Sequence, residues 1–344
     1  MNTFAGIDFP TWWFLVIGAV FTGYAILDGF DLGAGALHLF FNKETSRRTA
    51  LNAIGPVWDG NEVWLVIGGG ALFAGFPEVY ASLLSAFYIP FMIFLVALIF
   101  RAVSIEFRSK EPMLWWRKMW DISYCLSSGL LAFLLGFILG NVAIGIPLDK
   151  DHIYRGDFAD FINPYSIMVG ITSLALFMMH GAIYLVMKTE DRLYAKLTII
   201  VRRTTIFFVI SFVITSFYTL LYIPHLVDQI HDSPGMFILP VIMVLAIANI
   251  TRQISKRKYL LAFLSSAVVI SVALIIVSLE LYPTIIYSPQ TPANSLTVYN
   301  SASSNKTLGI MLTVAAIGVP LVAAYTTFVF WTFKGKVKLD ETSY

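Results

Sequence analysis

The 344-residue chain is 58% hydrophobic and 13% charged, with a formal net charge of +2. Soluble domains carry about 25% charged residues, so this balance excludes an ordinary soluble enzyme, and no nucleic-acid partner is expected. The single Cys125 excludes an internal disulfide and any multi-cysteine metal or iron–sulfur site.

Long uninterrupted apolar runs, rather than alternating ten-residue ones, predict helices and not a barrel. The expected fold class is all-α, a polytopic membrane protein in one integral-membrane domain. Nine spans are predicted: 12–39, 54–76, 78–103, 119–146, 163–188, 203–224, 236–251, 258–282 and 306–333, each near the ~20 residues that a crossing needs. The seventh is the shortest and holds Pro240. The second carries two acids and several glycines, and abuts the third at Phe76-Pro77-Glu78. No basic residue precedes Lys43, so the N-terminus lacks the positive region of a signal peptide.

Nine spans put 20 of the 23 Lys and Arg on one side, in clusters around Lys43–Arg48, Arg101–Lys118, Lys188–Arg203, Arg252–Lys258 and Lys334–Lys338. The other side keeps Lys150, Arg155 and Lys306. Positive loops stay cytoplasmic, which predicts an outer N-terminus and an inner C-terminus. Without a span over 54–76 this one-sidedness would break at Lys43–Arg48. Trp12 and Trp13, and Trp115, Trp116 and Trp120, suit interfacial belts.

The first two spans carry four acids: Asp28 and Asp31 in LDGFDLGAG, Asp59 and Glu62 in GPVWDGNEVW. Spacing i, i+3 puts each pair on one helix face. At 1.5 Å per residue, Asp28 and Asp31 lie ~24 and ~28 Å along the first span, and Asp59 and Glu62 ~8 and ~12 Å into the second. All four therefore gather in the inner half of the membrane, at the level of Arg101, with His38 at the inner boundary. Two readings stand. One is structural: Asp59 or Asp28 pairs with Arg101, and Gly29-x-x-x-Gly33 lets helices approach closely. The other is a proton path from the cytoplasm, because carboxylates in a low-dielectric setting take up protons near neutral pH. Four acids against one nearby arginine leave a negative surplus, which favours the proton reading.

The remaining polar residues carry less. His180 in MMHGA is readable as a haem ligand, a proton relay or a hydrogen-bonded core residue, with the last favoured; no cofactor ligand is assigned beyond it, and no metal site. Asp121 is expected to favour a helix N-terminus electrostatically, Asn141 to bond between helices, and Glu280 to reach the interface. His152, His225 and His231 fall in outer loops. Gly68-Gly69-Gly70 is no phosphate loop, since no Lys-Ser/Thr follows.

LDGFDLGAG, GPVWDGNEVWLVIGGGALFAGFPEVYA, and FRAVSIEFRSK with WRKMWD together resemble subunit II of the cytochrome bd-type quinol oxidases. The resemblance is dense over about 12–125 and looser beyond, through INPYSIMVG and MHGAIYL. It implies an accessory subunit of a terminal oxidase that oxidises quinol and reduces dioxygen to water with cytoplasmic protons. The haems, b and d, belong to a pseudo-symmetric subunit I; small single-helix subunits accompany some complexes, and some members hold a structural quinone in subunit II. The chain by itself is not expected to be catalytic. The resemblance also implies two four-helix bundles plus a peripheral helix, with 1–146 as the first unit and 147–344 as the second unit and last helix. Its acids carry over to Asp59 and to Asp28 and Asp31, and its arginine to Arg101; an amide also occurs in the family at Glu62. The competing function is a proton-coupled secondary transporter, which would favour midplane acids and paired broken helices.

Overall fold

The computed structural model describes residues 3–226 and 234–339; His231 lies outside them. Among the described residues there are eleven α-helices: α1 (Phe9–Ala36), α2 (Glu44–Ile54), α3 (Trp58–Gly75), α4 (Pro77–Ala86), α5 (Tyr88–Phe107), α6 (Leu114–Ile144), α7 (Pro164–Lys188), α8 (Asp191–Tyr222), α9 (Ile238–Ser255), α10 (Tyr259–Leu281) and α11 (Asn305–Thr332). Two antiparallel ribbons add β1 (Thr3–Phe4) with β2 (Ile7–Asp8), and β3 (Thr284–Ile286) with β4 (Leu296–Thr297). The long helices start at clear signals. Asp8 accepts a bond from the Thr11 N–H ahead of Pro10, Asn163 accepts one from Ser166 ahead of Pro164, and Ser304 caps α11. α6 ends at Gly145, whose φ of +106° a side chain would resist.

Eight of these helices are long and apolar enough to cross a membrane: α1 and α5 to α11. α3, the helix of the 54–76 segment, is not among them, because Asp59, Asn61 and Glu62 lower its apolarity. It nevertheless runs antiparallel to α1. Asn61 meets Asp31, Trp64 lies over Gly23, Phe21 over Gly68, and Trp13 against Gly75. Its 18 residues reach ~27 Å, so α3 returns the chain from the level of Asp31 to that of Trp13. The expected third span, 78–103, is corrected by the structure. The chain breaks at Phe87 into the short α4 and the crossing α5, with a proline at the start of α4 and another, Pro90, in the first turn of α5. The connection after α1 holds a further helix, α2, that the basic cluster at Lys43–Arg48 did not announce.

α1 is the hub. It packs against α3, α6, α7, α10 and α11, while α5 lies on α6, α8 on α7, and α9 on α10. Lipid offers no hydrophobic drive between helices, so contact depends on small residues and polar bonds. A Cβ on Gly33 would sit 1.7 Å from the Phe177 carbonyl oxygen, and one on Gly181 2.4 Å from the Ala34 nitrogen. The two backbones touch there. α11 by contrast is exposed along nearly its whole length. Reciprocal lysines fix its basic end: Lys188 donates to the Phe333 carbonyl (2.6 Å), and Lys336 to that of Thr189 (2.8 Å). At the opposite, acidic end, Ile146 donates to Tyr287 and Ser303 to Gly75, tying three connections into a cap. There the Ile153 N–H and the Arg155 guanidinium hold the Asp149 carboxyl below the usual carboxylate range.

Candidate functional site

Three helices contribute polar residues at the same spacing. On α1 they are Asp28 and Asp31, followed by Gly35; on α5, Arg101 and Ser104, with Arg108 at its C-cap in helical conformation; on α6, Asp121, Tyr124 and Ser128. Positions i, i+3 and i+7 share one face of a helix, and these three faces meet. Each of these polar side chains is buried. Together they form a polar seam inside an otherwise apolar bundle.

At its deep end, Arg101 binds Asp28 with both guanidinium nitrogens. Nη1 donates to Oδ2 at 3.0 Å, and Nη2 to Oδ1. Residues Asp28, Asp31 and Arg101 are all 0% exposed. A planar guanidinium answering both carboxylate oxygens is the geometry lysine cannot copy. Asp31 is held differently: Asn61 Nδ2 donates to its Oδ2 at 2.7 Å, while Oδ1 has no hydrogen-bond partner. Glu62 Oε2 stands 3.7 Å from Arg101 Nη1, and its side chain keeps 22% exposure. Three carboxylates thus surround one arginine; Asp28 accepts from both of its terminal nitrogens, while Arg101 Nε has no hydrogen-bond partner. Opposite charges attract strongly where water is excluded, and one arginine formally balances only one of the three carboxylates.

The structure brings Asp28, Asp31, Glu62 and Arg101 together. Asp59 it places apart, exposed in the first turn of α3, one turn from Glu62 and away from Arg101. Of the two acids offered to Arg101 by the sequence, Asp59 or Asp28, the structure pairs Asp28. α3 turns Asn61 inward, and Asp59, two residues earlier, falls on the opposite face.

At the basic end the seam closes in an ion-pair network that sequence reasoning missed. Asp121 lies two turns inside α6, not at its N-terminus. Its oxygens accept from Arg108 Nε (2.6 Å) and Arg47 Nη1 (2.8 Å) and lie 2.5 Å from His38 Nε2. Arg108 also reaches Glu44 at 2.8 Å, and Arg117 reaches the same carboxylate. The network pins α2 to α5 and α6. The matching i, i+3, i+7 spacing on α5 and α6 was the available signal.

His180 lies on the other side of α1. Its Nδ1 is 2.7 Å from Ser266 Oγ, its Nε2 3.0 Å from the Ile26 carbonyl, and its ring stacks on Phe263. Both nitrogens are engaged within the protein, whereas a haem ligand needs one free. Among the described residues, no group of three or more His, Cys, Asp or Glu is placed to hold a metal ion. Asn141 accepts from Asn163 across α6 and α7 at 2.8 Å. Glu280, expected at the interface, is instead buried, 8% exposed.

The family model for cytochrome bd terminal oxidase subunit II matches residues 9–333. Cytochrome bd ubiquinol oxidase subunit 2 of Bacillus subtilis is 32% identical over 337 residues, covering 96% of this chain and 97% of the relative. Cytochrome bd-I ubiquinol oxidase subunit 2 of Escherichia coli K12 is 29% identical over 362 residues, covering 96% and 95%. A chain of the solved bd oxidase from Geobacillus thermodenitrificans superposes with a TM-score of 0.79, covering 94% of this chain and 98% of that one, at 18% identity. At that identity the likeness speaks for the fold.

Proposed function

The chain belongs to the cytochrome bd terminal oxidase subunit II family, and from that premise we propose how it serves such an oxidase. It is a subunit of a terminal quinol oxidase, an oxidoreductase complex of a bacterial membrane, with a subunit I as its partner. The transporter alternative gives way to this assignment.

Our reading is that the chain braces the haem-bearing partner and feeds it protons. Reducing dioxygen to water consumes a proton for every electron delivered. In this reading the basic end faces the cytoplasm, because that is where positive loops are retained. Residues 1–146 form the unit that carries the acids, and 147–344 a second unit with the last helix. The haems, b and d, sit in the partner; the engaged nitrogens of His180 support this.

The observation that carries the proposal is the charge balance around Arg101. Asp28 and Arg101 neutralise one another and fix the geometry. Asp31 and Glu62 share what remains of the arginine's field; burial favours a carboxyl that holds its proton and a nearby arginine one that gives it up, and that opposition is what lets a proton be exchanged there. Asp31 is the fully buried station and Glu62 the partly exposed one. Asp59, one turn nearer the start of α3 and exposed, is in this reading the group through which the cluster meets its surroundings.

The test is turnover of the purified two-subunit oxidase carrying Asp31→Asn. Asparagine keeps the shape and the bond to Asn61 after an amide flip, but cannot carry a proton. Quinol oxidation should fall by about a hundredfold, the scale of one positioned acid–base group, with haem content unchanged. Parent turnover at parent haem content would refute the relay.

A further inference from the structure

The acidic cluster is buried, so protons need a way in from the basic end, and the seam offers one. Besides Arg101 Nε, four buried polar atoms along it have no hydrogen-bond partner: Asp31 Oδ1, Ser128 Oγ, Tyr124 Oη and His38 Nδ1. They fall in order. Asp31 and His38 are seven residues apart on the same face of α1 and its extension, about 10 Å along the axis. Gly35 lies between them, and a Cβ there would meet Ser128 Oγ at 2.1 Å and Tyr124 Cζ at 3.0 Å. The Ser128 hydroxyl and the Tyr124 ring therefore occupy the turn between Asp31 and His38. The Tyr124 ring packs edge-on against His38, centroids 5.1 Å apart.

Buried polar atoms nearly always find a partner, in the protein or in ordered water. Four such atoms without protein partners, on facing sides of two helices, are groups that buried water would satisfy. Their chemistry suits proton passage. A hydroxyl accepts one proton as it gives up another, and so does a water. His38 can accept at Nδ1 while its Nε2 stays bound to Asp121, whose charge Arg47 and Arg108 already balance.

We propose that the α1–α6 seam is a hydrated proton inlet, running from the His38–Asp121 network past Tyr124 and Ser128 to Asp31. This rests on the relay reading above and adds the route by which the relay is loaded. Each passage is balanced: a proton that reaches the buried His38 Nδ1 through water entering at the basic end is matched by one delivered to Asp31 Oδ1, and the hydroxyls between are restored when their protons reorient.

The experiment uses the two-subunit oxidase in liposomes, with oxygen added to the quinol-reduced enzyme. Haem absorbance follows electron transfer, and a pH dye on the basic-end side follows proton uptake. Tyr124→Phe and Ser128→Ala each remove one hydroxyl with little change of shape; His38→Gln removes the exchangeable ring. The inlet predicts that Tyr124→Phe slows proton uptake about tenfold, while the first electron-transfer phase keeps its parent rate. A structural role would move both phases or the haem content instead. If Tyr124→Phe and Ser128→Ala both take up protons within about twofold of parent while Asp31→Asn does not, the inlet is refuted and the relay stands. If Asp31→Asn also matches parent, the relay falls and the inlet with it. Should His38→Gln fail to assemble, the two hydroxyl variants decide.

Discussion

Arg101 is the residue on which the buried cluster turns. Breaking a buried pair by removing one partner costs about 3–5 kcal/mol, because the charge left behind has no water to turn to. Arg101→Met should therefore abolish recovery of assembled oxidase, and Arg101→Lys should restore little, since one ammonium cannot answer both oxygens of Asp28. Arg101→Met combined with Asp28→Asn should recover more complex than Arg101→Met alone, measured as haem per membrane protein. Equal or lower recovery would show that the pair does not act as a unit. Asp28, Asp31 and Arg101 were legible in the sequence because ionisable groups at membrane depth are rare and need partners. Which acid the arginine takes was not legible. Asp59 lies in the richer motif, but two residues of helix separate it from the inward face that Asn61 occupies, and motif density carries no information about facing. Asp121 misled in the opposite sense: a carboxylate near a helix start reads as a dipole effect, and its partners come from α2, α5 and the turn after α1.

At the scale of elements, the α1–α7 contact is set by two glycines. Gly33→Ala would drive a methyl group into the Phe177 carbonyl, and overpacking of this kind costs roughly 1–3 kcal/mol. Gly18→Ala, on the same helix with nothing within 4 Å of its new Cβ, is the matched control. Thermal inactivation of the oxidase should occur at lower temperature for Gly33→Ala and stay at the parent value for Gly18→Ala. Two equal shifts would show helix propensity, not close approach, to be at work. The spacing Gly29-x-x-x-Gly33 announced a close contact; the partner, Phe177 and Gly181 of α7, required the three-dimensional arrangement. The break at Phe87 was hidden for a related reason. Apolarity runs on through it, and Pro77 and Pro90 are each compatible with a helix start, so composition joined what the backbone divides.

At the scale of the whole molecule, the two ends differ in character, one basic and one capped by acidic and Ser/Asn-rich connections. Sidedness follows from that difference and is open to direct measurement. Lys338→Cys should be labelled by an impermeant thiol reagent only in inside-out vesicles, and Lys306→Cys only in right-side-out ones. The reverse pattern would invert the proton route. Long apolar runs gave the helical membrane class with little ambiguity, while α3 remained the hard element, since the acids that give it a role also dilute the signal of a crossing.

The central claim is that carboxylates outnumbering a single buried arginine hold a mobile proton. Infrared difference spectra of the two-subunit oxidase, oxidised minus reduced, test this most directly through the carbonyl stretch of a protonated carboxyl. The account predicts a band in that region that shifts in heavy water and is lost in Asp31→Asn or Glu62→Gln. A spectrum with no such band, or one unchanged in both variants, would contradict it.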